Sequence, residues 1–461
     1  MSEKFNVAVI GSGPGGYAAA IRCVQRGASV ALVEKEFIGG TCLNCGCIPS
    51  KTLLASAHIL LLIKHAAMMG IDVAQATANW PKMQERKNAV VSGFRKGLTG
   101  LIQANKIKIF KGRGIVTAPN QIKIEFDTAP AQIQADKIIL ATGSQPTQLP
   151  NAPFDGQSVI SSKEALELQQ IPKSMVIVGG GVIGCEIGCV YAALGAKVTI
   201  VEALDRLIPM EDEWVGRLME RELKKPGIDC LTSQKVTSVD KSNGLAKVFL
   251  ENGQTIEVEK VLISVGRKPI VDKETIKALN LKMSDSAIKV NAKMETNVPG
   301  IYAIGDAVGT TFLAHGAFAE AEVAATNATG GDEKIADYSL IPRAVYTFPE
   351  IASVGKTEQS CKEQGLDISV GRSFFKANGR SVAHNETVGE IRAIRDNSTN
   401  KIVGVTMVGA MVTELISAAR VMIGTTEKIA DISFPHPTVS EVLKEAAEDA
   451  FGLSLHNPPK V

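Results

Sequence analysis

The sequence predicts an α/β chain of about three domains, judged from its 461 residues. Two observations predict the class. Glycine is abundant, at 42 residues, while aromatics make up only 5%. This suits a chain full of tight strand-to-helix turns and does not suit a binder that stacks bases on aromatic rings. In addition, one unit of apolar strand, glycine turn, helix, second strand and acid occurs twice. Apolar residues make up 45%, which excludes a disordered chain. The 50 basic and 48 acidic side chains leave a net charge of +2, so neither a nucleic-acid groove nor a basic membrane face is expected as the main function.

The elements follow in order. The opening MSEKFNVAVIGSG enters a strand at once and lacks the basic-then-apolar pattern of a secretory leader, so a cytoplasmic protein is expected. Residues 37–114 are mostly helical by pattern and are followed by short strands in KIKIFKGRGIV, QIKIEF and KIILATGS. The second repeat starts near Ser174, and alternating strands after it end in KVLISVGRKP. The segments IILATGS and VLISVG read as equivalent exits from the two repeats. The stretch Met175 to Ala196 is the most membrane-like. It holds four glycines within six positions and Glu186 at its middle, so it reads as a buried strand, turn and helix and not as a bilayer span. GIYAIGDA near Ile301 is a further strand, turn and acid. From about Leu340 the pattern changes to strands near Ala344, Gly389 and Ile402, then helices, which predicts a mixed C-terminal domain.

The repeats are NVAVIGSGPGGYAAAIRCVQRGASVALVEKE and SMVIVGGGVIGCEIGCVYAALGAKVTIVEAL. Each carries G-x-G-x-x-G between a strand and a helix: Gly11, Gly13 and Gly16 in the first, Gly179, Gly181 and Gly184 in the second. The first glycine makes the tight turn, the second lets a pyrophosphate approach the backbone, and the third packs helix on strand. The helix N-terminus then faces the phosphates. Glu34 and Glu202 close the two units at equal spacing, where each can accept hydrogen bonds from a ribose diol. Two such sites suggest two different dinucleotides. An acid at Glu202 would repel a 2′-phosphate, so NAD is expected there over NADP. Arg206 lies four residues on and reads as a surface arginine.

Three of the eight cysteines lie within six residues, in GGTCLNCGCIPSK, a reactive-site pattern and not a disulfide scaffold. Cys42 and Cys47 follow the first nucleotide motif and could form a disulfide against a bound flavin. Pro49 is expected to end a strand and start a helix, with Ser50 and Lys51 in its first turn. The helix N-terminus and the lysine are expected to lower a thiol's pKa. Cys45 leaves a C-x-x-C alternative, either thioredoxin-like exchange or half a zinc site, but the nearest histidines, His58 and His65, read as ordinary helix residues and no metal is expected. Cys23, Cys185, Cys189, Cys230 and Cys361 read as structural.

Near the C-terminus, His436 stands between two prolines, five residues before Glu441. Thr438 to Glu441 has a capping-box pattern, so Glu441 either caps the helix or meets the imidazole. In the second case one charge-assisted hydrogen bond of roughly 1.5–3 kcal/mol would make the histidine a better base for a thiol.

These motifs, with LAHGAFAEAE, VYTFPEIASVGKTE and HPTVSE in order along essentially the whole chain, resemble the pyridine nucleotide–disulfide oxidoreductase family, and within it the enzymes that oxidise dihydrolipoamide. The resemblance implies an FAD-binding domain (1–146), an NAD-binding domain (147–268), a central segment completing the FAD domain (269–340) and a dimerisation domain (341–461). It implies that Cys42 is the thiol attacking substrate, that Cys47 is the thiolate facing the flavin, and that Lys51 and Glu186 pair beside it. Gly11, Gly13, Gly16, Glu34, Lys51, Gly114, Thr142, Gly143, Asp306, Ala314 and His315 would line FAD. Gly179, Gly181, Gly184, Glu202, Val236 and Gly266 would line NAD. His436 and Glu441 would reach the partner subunit's disulfide in a homodimer. The implied substrates are lipoyl groups on carriers of 2-oxoacid dehydrogenase complexes or the glycine cleavage system. The competing readings are an NADH-dependent reductase of another small disulfide, and a zinc- or redox-sensing nucleotide-binding scaffold. Cys45, Phe434–Pro435 before the histidine, and Gly316 in place of a common lysine depart from the family pattern.

Overall fold

A computed structural model describes residues 3–126, 131–242, 244–335 and 337–457. The chain divides into two compact units. The first comprises Met1–Thr52, Gln84–Thr147 and Gly266–Tyr338, and the second Leu53–Met83, Gln148–Val265 and Ser339–Val461.

In the first unit the strand Glu3–Ile10 lies between Val30–Glu34 and Ala131–Leu140, parallel to both. Lys108–Lys111 extends the parallel sheet beyond Val30–Glu34, while Gln121–Glu125 and Arg113–Ala118 continue it as an antiparallel meander. Ile301–Ala303 adds a parallel strand against the C-terminal half of Ala131–Leu140. The helices Pro14–Gln25 and Ala314–Ala328 pack on each other, with Gly15 close to Ala317. Every residue of Val30–Glu34 is buried, as expected for a parallel strand covered on both faces.

The second unit carries the second repeat. Ser174–Val178 pairs in parallel with Lys197–Val201 and Lys260–Ile263, and Ile228–Leu231 and Val159–Ile160 flank them. The stretch Met175 to Ala196 is thus a strand, a turn and the buried helix Val182–Ala193. The same unit contains an antiparallel five-stranded sheet ordered Arg343–Val345, Glu350–Gly355, Lys401–Gly409, Glu390–Asp396, Ile368–Phe374. The helix Ser440–Ala450 buries Val442, Leu443, Ala446, Ala447 and Ala450 against this sheet. Its approach is close enough that a Cβ on Gly371 would overlap the Ala446 carbonyl. That contact fixes the height of the helix over the sheet, and so the place of Glu441 in its first turn.

Among the described residues one helical stretch, Gly40–Lys64, is long and apolar enough to cross a membrane. It contains Cys42, Cys45 and Cys47.

Candidate active site

The two glycine turns have the same stereochemistry. Gly11 has φ +100° and Gly179 φ +106°, and each faces the exit of a neighbouring strand. A Cβ on Gly11 would overlap the Ala141 carbonyl, and one on Gly179 would lie 2.7 Å from the Ser264 carbonyl. IILATGS and VLISVG are therefore equivalent exits. Gly13 and Gly181 each cap a 12-residue helix, and a Cβ on either would meet nothing within 4 Å. Gly16 and Gly184 sit so close to the carbonyls of Gly11 and Gly179 that no side chain fits. Tight turn, open approach and close packing thus fall on the first, second and third glycines of both motifs, which is the shape a pyrophosphate requires.

The two acids also match. Glu34 accepts from the Ser12 backbone N–H (2.9 Å), the Ser12 hydroxyl (2.6 Å) and the Glu36 N–H (2.8 Å). Glu202 accepts from the N–H groups of Gly180 (2.6 Å) and Leu204 (2.8 Å). Each carboxylate ties its glycine turn to the end of the second strand and keeps at least one lone pair for a ribose hydroxyl. Arg206, expected as a surface arginine, is instead half-buried in a bend, where it is engaged by Asp205 (2.9 Å) and the Pro209 carbonyl (3.3 Å).

The other residues expected around FAD fall in the first unit. Gly114 lies where a Cβ would press on Ile10 and Val33. Thr142 donates to the Ile270 carbonyl, and Gly143 adopts φ +75°. Asp306, in the turn Gly305–Ala307, accepts from the Ser144 hydroxyl, which itself receives a hydrogen bond from Arg267 (2.7 Å). Ala314 and His315 open the helix Ala314–Ala328. Gly316 has a local cause: a Cβ there would strike the Thr311 hydroxyl. Gly266 (φ +126°) belongs to the first unit and accepts from Thr147, whereas Val236 begins a strand of the second. Sequence reasoning missed Ser12, Ser144, Arg267 and Glu320, because no motif marks a residue whose partner lies far along the chain.

The thiols sit against the first glycine turn. The Gly39 N–H donates to the Ser12 carbonyl (3.1 Å), and a Cβ on Gly40 would come 2.7 Å from Gly13 Cα. The short helix Gly40–Cys45 carries Cys42, and Cys47 opens the helix Cys47–Lys64. The expected strand before Pro49 is therefore helical, and Pro49 is the third residue of the second helix, where its missing N–H leaves no bond unmade. All eight cysteines are present as thiols, with Cys42, Cys45 and Cys47 half-buried. The Cys42 and Cys47 side chains are hydrogen-bonded to each other.

The Cys42 thiol is held far above its ordinary pKa, first by the hydrogen bond to Cys47, then by burial and by charge on Cys47. Lys51 pulls the other way but does not prevail. The hydrogen bond and burial thus favour a proton on Cys42, while Cys47 stands at the helix N-terminus. Burial pushes Cys23, Cys189 and Cys230 up to about 12, as inert core thiols. In the second unit, Glu186 is buried on the helix Val182–Ala193, with Oε1 accepting from the Tyr346 N–H (3.0 Å).

His436 and Glu441 meet. His436 Nδ1 lies 2.9 Å from Glu441 Oε1, while Oε2 accepts from the Thr438 N–H (2.8 Å). The expected capping box is not formed, because the helix starts at Ser440 after Val439 with no side-chain cap; Glu441 instead ties the Thr438 N–H with one oxygen and holds the ring with the other. Burial raises the Glu441 pKa, but the Thr438 N–H and His436 outweigh it, so the carboxyl titrates below its ordinary value. A carboxylate partner requires a proton on Nδ1, which leaves the Nε2 lone pair of the neutral ring as the basic atom.

Comparison with known proteins now decides the family. Residues 5–325 match the family model described as pyridine nucleotide-disulphide oxidoreductase, and residues 341–447 match its dimerisation domain. The chain belongs to this family. The oxidoreductase is 42% identical over 458 residues to dihydrolipoyl dehydrogenase of Bacillus subtilis, covering 98% of this chain and 99% of that one. It is 40% identical to the Chlamydia muridarum protein of the same name, over 100% and 99% of the two chains. Among solved structures, LpdA from Mycobacterium tuberculosis shares the fold with a TM-score of 0.90 at 24% identity, over 96% of this chain and 99% of that one. The HOCl-induced flavoprotein disulfide reductase RclA from Escherichia coli aligns with a TM-score of 0.85 at 26% identity, over the same shares. The family uses FAD and NAD, and the two glycine turns fit these groups.

Proposed function

We propose that this oxidoreductase transfers the two electrons of a dihydrolipoyl group to NAD⁺ through the Cys42–Cys47 pair. One observation carries the reading. A hydrogen-bonded pair of thiols, Cys42 and Cys47, sits directly against a dinucleotide turn that is open at Gly13. The full-length similarity to dihydrolipoyl dehydrogenases supports the choice of substrate.

In the proposed sequence, His436 Nε2 takes a proton from one substrate thiol, and Glu441 holds the ring and the imidazolium. The resulting thiolate attacks Cys42 in the Cys42–Cys47 disulfide, so Cys47 leaves as thiolate. The second substrate thiol, giving up its proton, displaces Cys42 and closes the lipoyl disulfide. Cys42 then carries a proton and hydrogen-bonds to the Cys47 thiolate, a pairing that the contact between the two side chains supports. FAD, held by the first turn, supplies the redox relay between this pair and NAD⁺ when both are bound. Glu202 selects against a 2′-phosphate. Lys51 stabilises charge on the thiol pair, and Gly114, Thr142, Gly143, Asp306, Ala314 and His315 line the FAD site. Val236 and Gly266 line the NAD site, and Glu186 tunes the flavin.

The reading includes a homodimer assembled through the C-terminal domain, with His436 serving the partner's disulfide, lipoyl-bearing carrier proteins as substrates, and a reducing compartment such as the cytoplasm. It is tested by dihydrolipoamide-dependent reduction of NAD⁺ beside NADP⁺ on the purified flavoprotein. Turnover with NAD⁺ alone is expected. Flavin reduction by NADH without dihydrolipoamide turnover would refute the substrate and point to another small disulfide.

A further inference from the structure

The segment Leu207–Asp212 is bonded at one end to the second glycine turn and at the other to the antiparallel C-terminal sheet, all within the second unit. At the turn, the Ile208 N–H donates to the Gly180 carbonyl (2.9 Å), while the Gly180 N–H donates to Glu202 (2.6 Å). The Leu207 side chain fills the space that a Cβ on Gly180 would need, with Cδ2 2.5 Å from it. At the sheet, Arg343 donates to both oxygens of Glu211 (2.7 and 3.2 Å), and the Ser353 hydroxyl donates to one of them (2.9 Å). Arg343 and Ser353 are partners across adjacent strands. Asp212 accepts from the N–H groups of Glu358 and Gln359 (both 3.1 Å), at the start of the helix Glu358–Glu363. Between the two ends, Ile208 has φ +47°, which a β-branched residue adopts only where its surroundings enforce it. The Glu211 N–H, bonded to the Ile208 carbonyl (3.0 Å), joins the strained residue to the anchor.

We propose that Glu211 is a positioning residue for NAD: acting through Ile208, it holds the Gly180–Gly181 peptide in the orientation that presents the Gly181 N–H to the pyrophosphate. The proposal rests on the reading of the second turn as the NAD site. A trans peptide is planar, and its C=O and N–H point in opposite directions. With the Gly180 carbonyl fixed on Ile208, the Gly181 N–H points away from the segment. Gly181 is also where the turn is open, and it caps the helix Val182–Ala193, so its N–H is of the kind that meets a phosphate. The first repeat makes the same bond. There the carbonyl of Ser12, the counterpart of Gly180, accepts from the Gly39 N–H (3.1 Å). Gly39 has φ +95°, which costs a glycine nothing. Both turns therefore clamp the same carbonyl from a left-handed residue, and only the second does so with a side chain that resists the conformation. The anchor accounts for this: Glu211 and Asp212 are both 4% exposed, and their bonds to the sheet and to the helix Glu358–Glu363 keep Ile208 from relaxing.

The test is titration calorimetry of NAD⁺ into the holoenzyme, set beside flavin reduction by dihydrolipoamide, which the second turn does not enter. Glu211→Gln keeps the size of the side chain but leaves the Arg343 fork unmatched. It is expected to weaken NAD⁺ binding about tenfold, the worth of one charge-assisted hydrogen bond, while flavin reduction keeps its rate. Arg343→Lys keeps the charge but loses the fork, and is expected to weaken NAD⁺ binding by about two- to fivefold. Unchanged NAD⁺ affinity in Glu211→Gln, or NAD⁺ binding and flavin reduction falling together as in a general loss of structure, overturns the proposal. If Glu211→Gln fails to fold, Arg343→Lys decides on the same two readings. Gly181→Ala separates the two failures. Wild-type NAD⁺ affinity there would remove the NAD reading of the turn, whereas weakened binding there with full affinity in the anchor variants would remove the role of Glu211 alone.

Discussion

Gly181 and Gly184 allow the role of the second glycine turn to be tested without confusing binding with folding. Gly184→Ala places a methyl against the Gly179 carbonyl, 2.8 Å from the Ser264 hydroxyl and 3.0 Å from Ile177 Cγ2. Two of these atoms belong to the strand exits that define the turn, so the methyl is accommodated only by shifting backbone, at about 1–3 kcal/mol. Gly181→Ala meets nothing within 4 Å and needs no positive φ. Its cost at the helix cap, of order 0.5–1 kcal/mol, is largely offset by reduced freedom of the unfolded chain. The fold should therefore be indifferent to Gly181→Ala, whereas a pyrophosphate seated on the turn is not. A 10- to 100-fold weaker NADH affinity, about 1.4–2.8 kcal/mol, is expected. The assay pairs thermal unfolding of the holoenzyme with the NADH dependence of flavin reduction. Wild-type NADH affinity in Gly181→Ala, or a Tm loss as large as that of Gly184→Ala, would refute the assignment of open and packed glycines.

Four further outcomes are expected. His436→Gln should leave flavin reduction by NADH intact and lower dihydrolipoamide turnover by about 10²-fold or more, the usual worth of a general base; equal loss in both half-reactions would count against it. Cys47→Ala removes the side-chain partner that holds the Cys42 proton, so the Cys42 pKa, followed by thiolate absorbance, should fall; an unchanged value would deny the coupling of the two thiols. Glu202→Gln should narrow the preference for NADH over NADPH by about tenfold in kcat/KM, while one amide oxygen still accepts from the turn. Glu320 is buried, accepts from the Gly305 N–H and the Tyr338 hydroxyl, and is pushed up to about 7 by burial and by Asp306 against those two bonds. The folded state then holds this proton more tightly than the unfolded chain, so stability is fully present below about pH 4.5 and declines as pH rises to 7, by about 3 kcal/mol. Glu320→Gln should shrink the difference in Tm between pH 5 and pH 8, and an unchanged difference would show that Glu320 does not titrate in that range.

Most of the site that depends on short-range pattern was legible in the sequence. The glycine spacing gave both turns because the backbone conformations at Gly11 and Gly179 are open only to residues without a side chain. The alternation of strands and helices gave the α/β class. The Cys42–Cys47 pair was visible as a cluster, but the helix before Pro49 and the hydrogen bond between the two thiols were not. The helix begins at Cys47 and not at Pro49, and one thiol's proton is held by the other thiol. A rule about helix ends and lysines treats each thiol alone and misses this coupling. The linkage of Asp306 with Ser144 and Arg267 was equally hidden, since those residues lie more than 100 positions from one another or from the acid.

By itself, the sequence determined two dinucleotide turns, their acids, a reactive thiol cluster and a histidine placed five residues before a glutamate, because each is set by spacing along one strand, turn or helix. Tertiary structure decided which groups share a proton or a charge. The Gly39–Ser12 and Gly40–Gly13 approaches brought the thiol helix onto the first turn. The packing of Ser440–Ala450 on the C-terminal sheet fixed the helix start at which Glu441 meets His436. Electrostatic coupling falls with distance in space and not with separation along the chain, so only the folded molecule could set it.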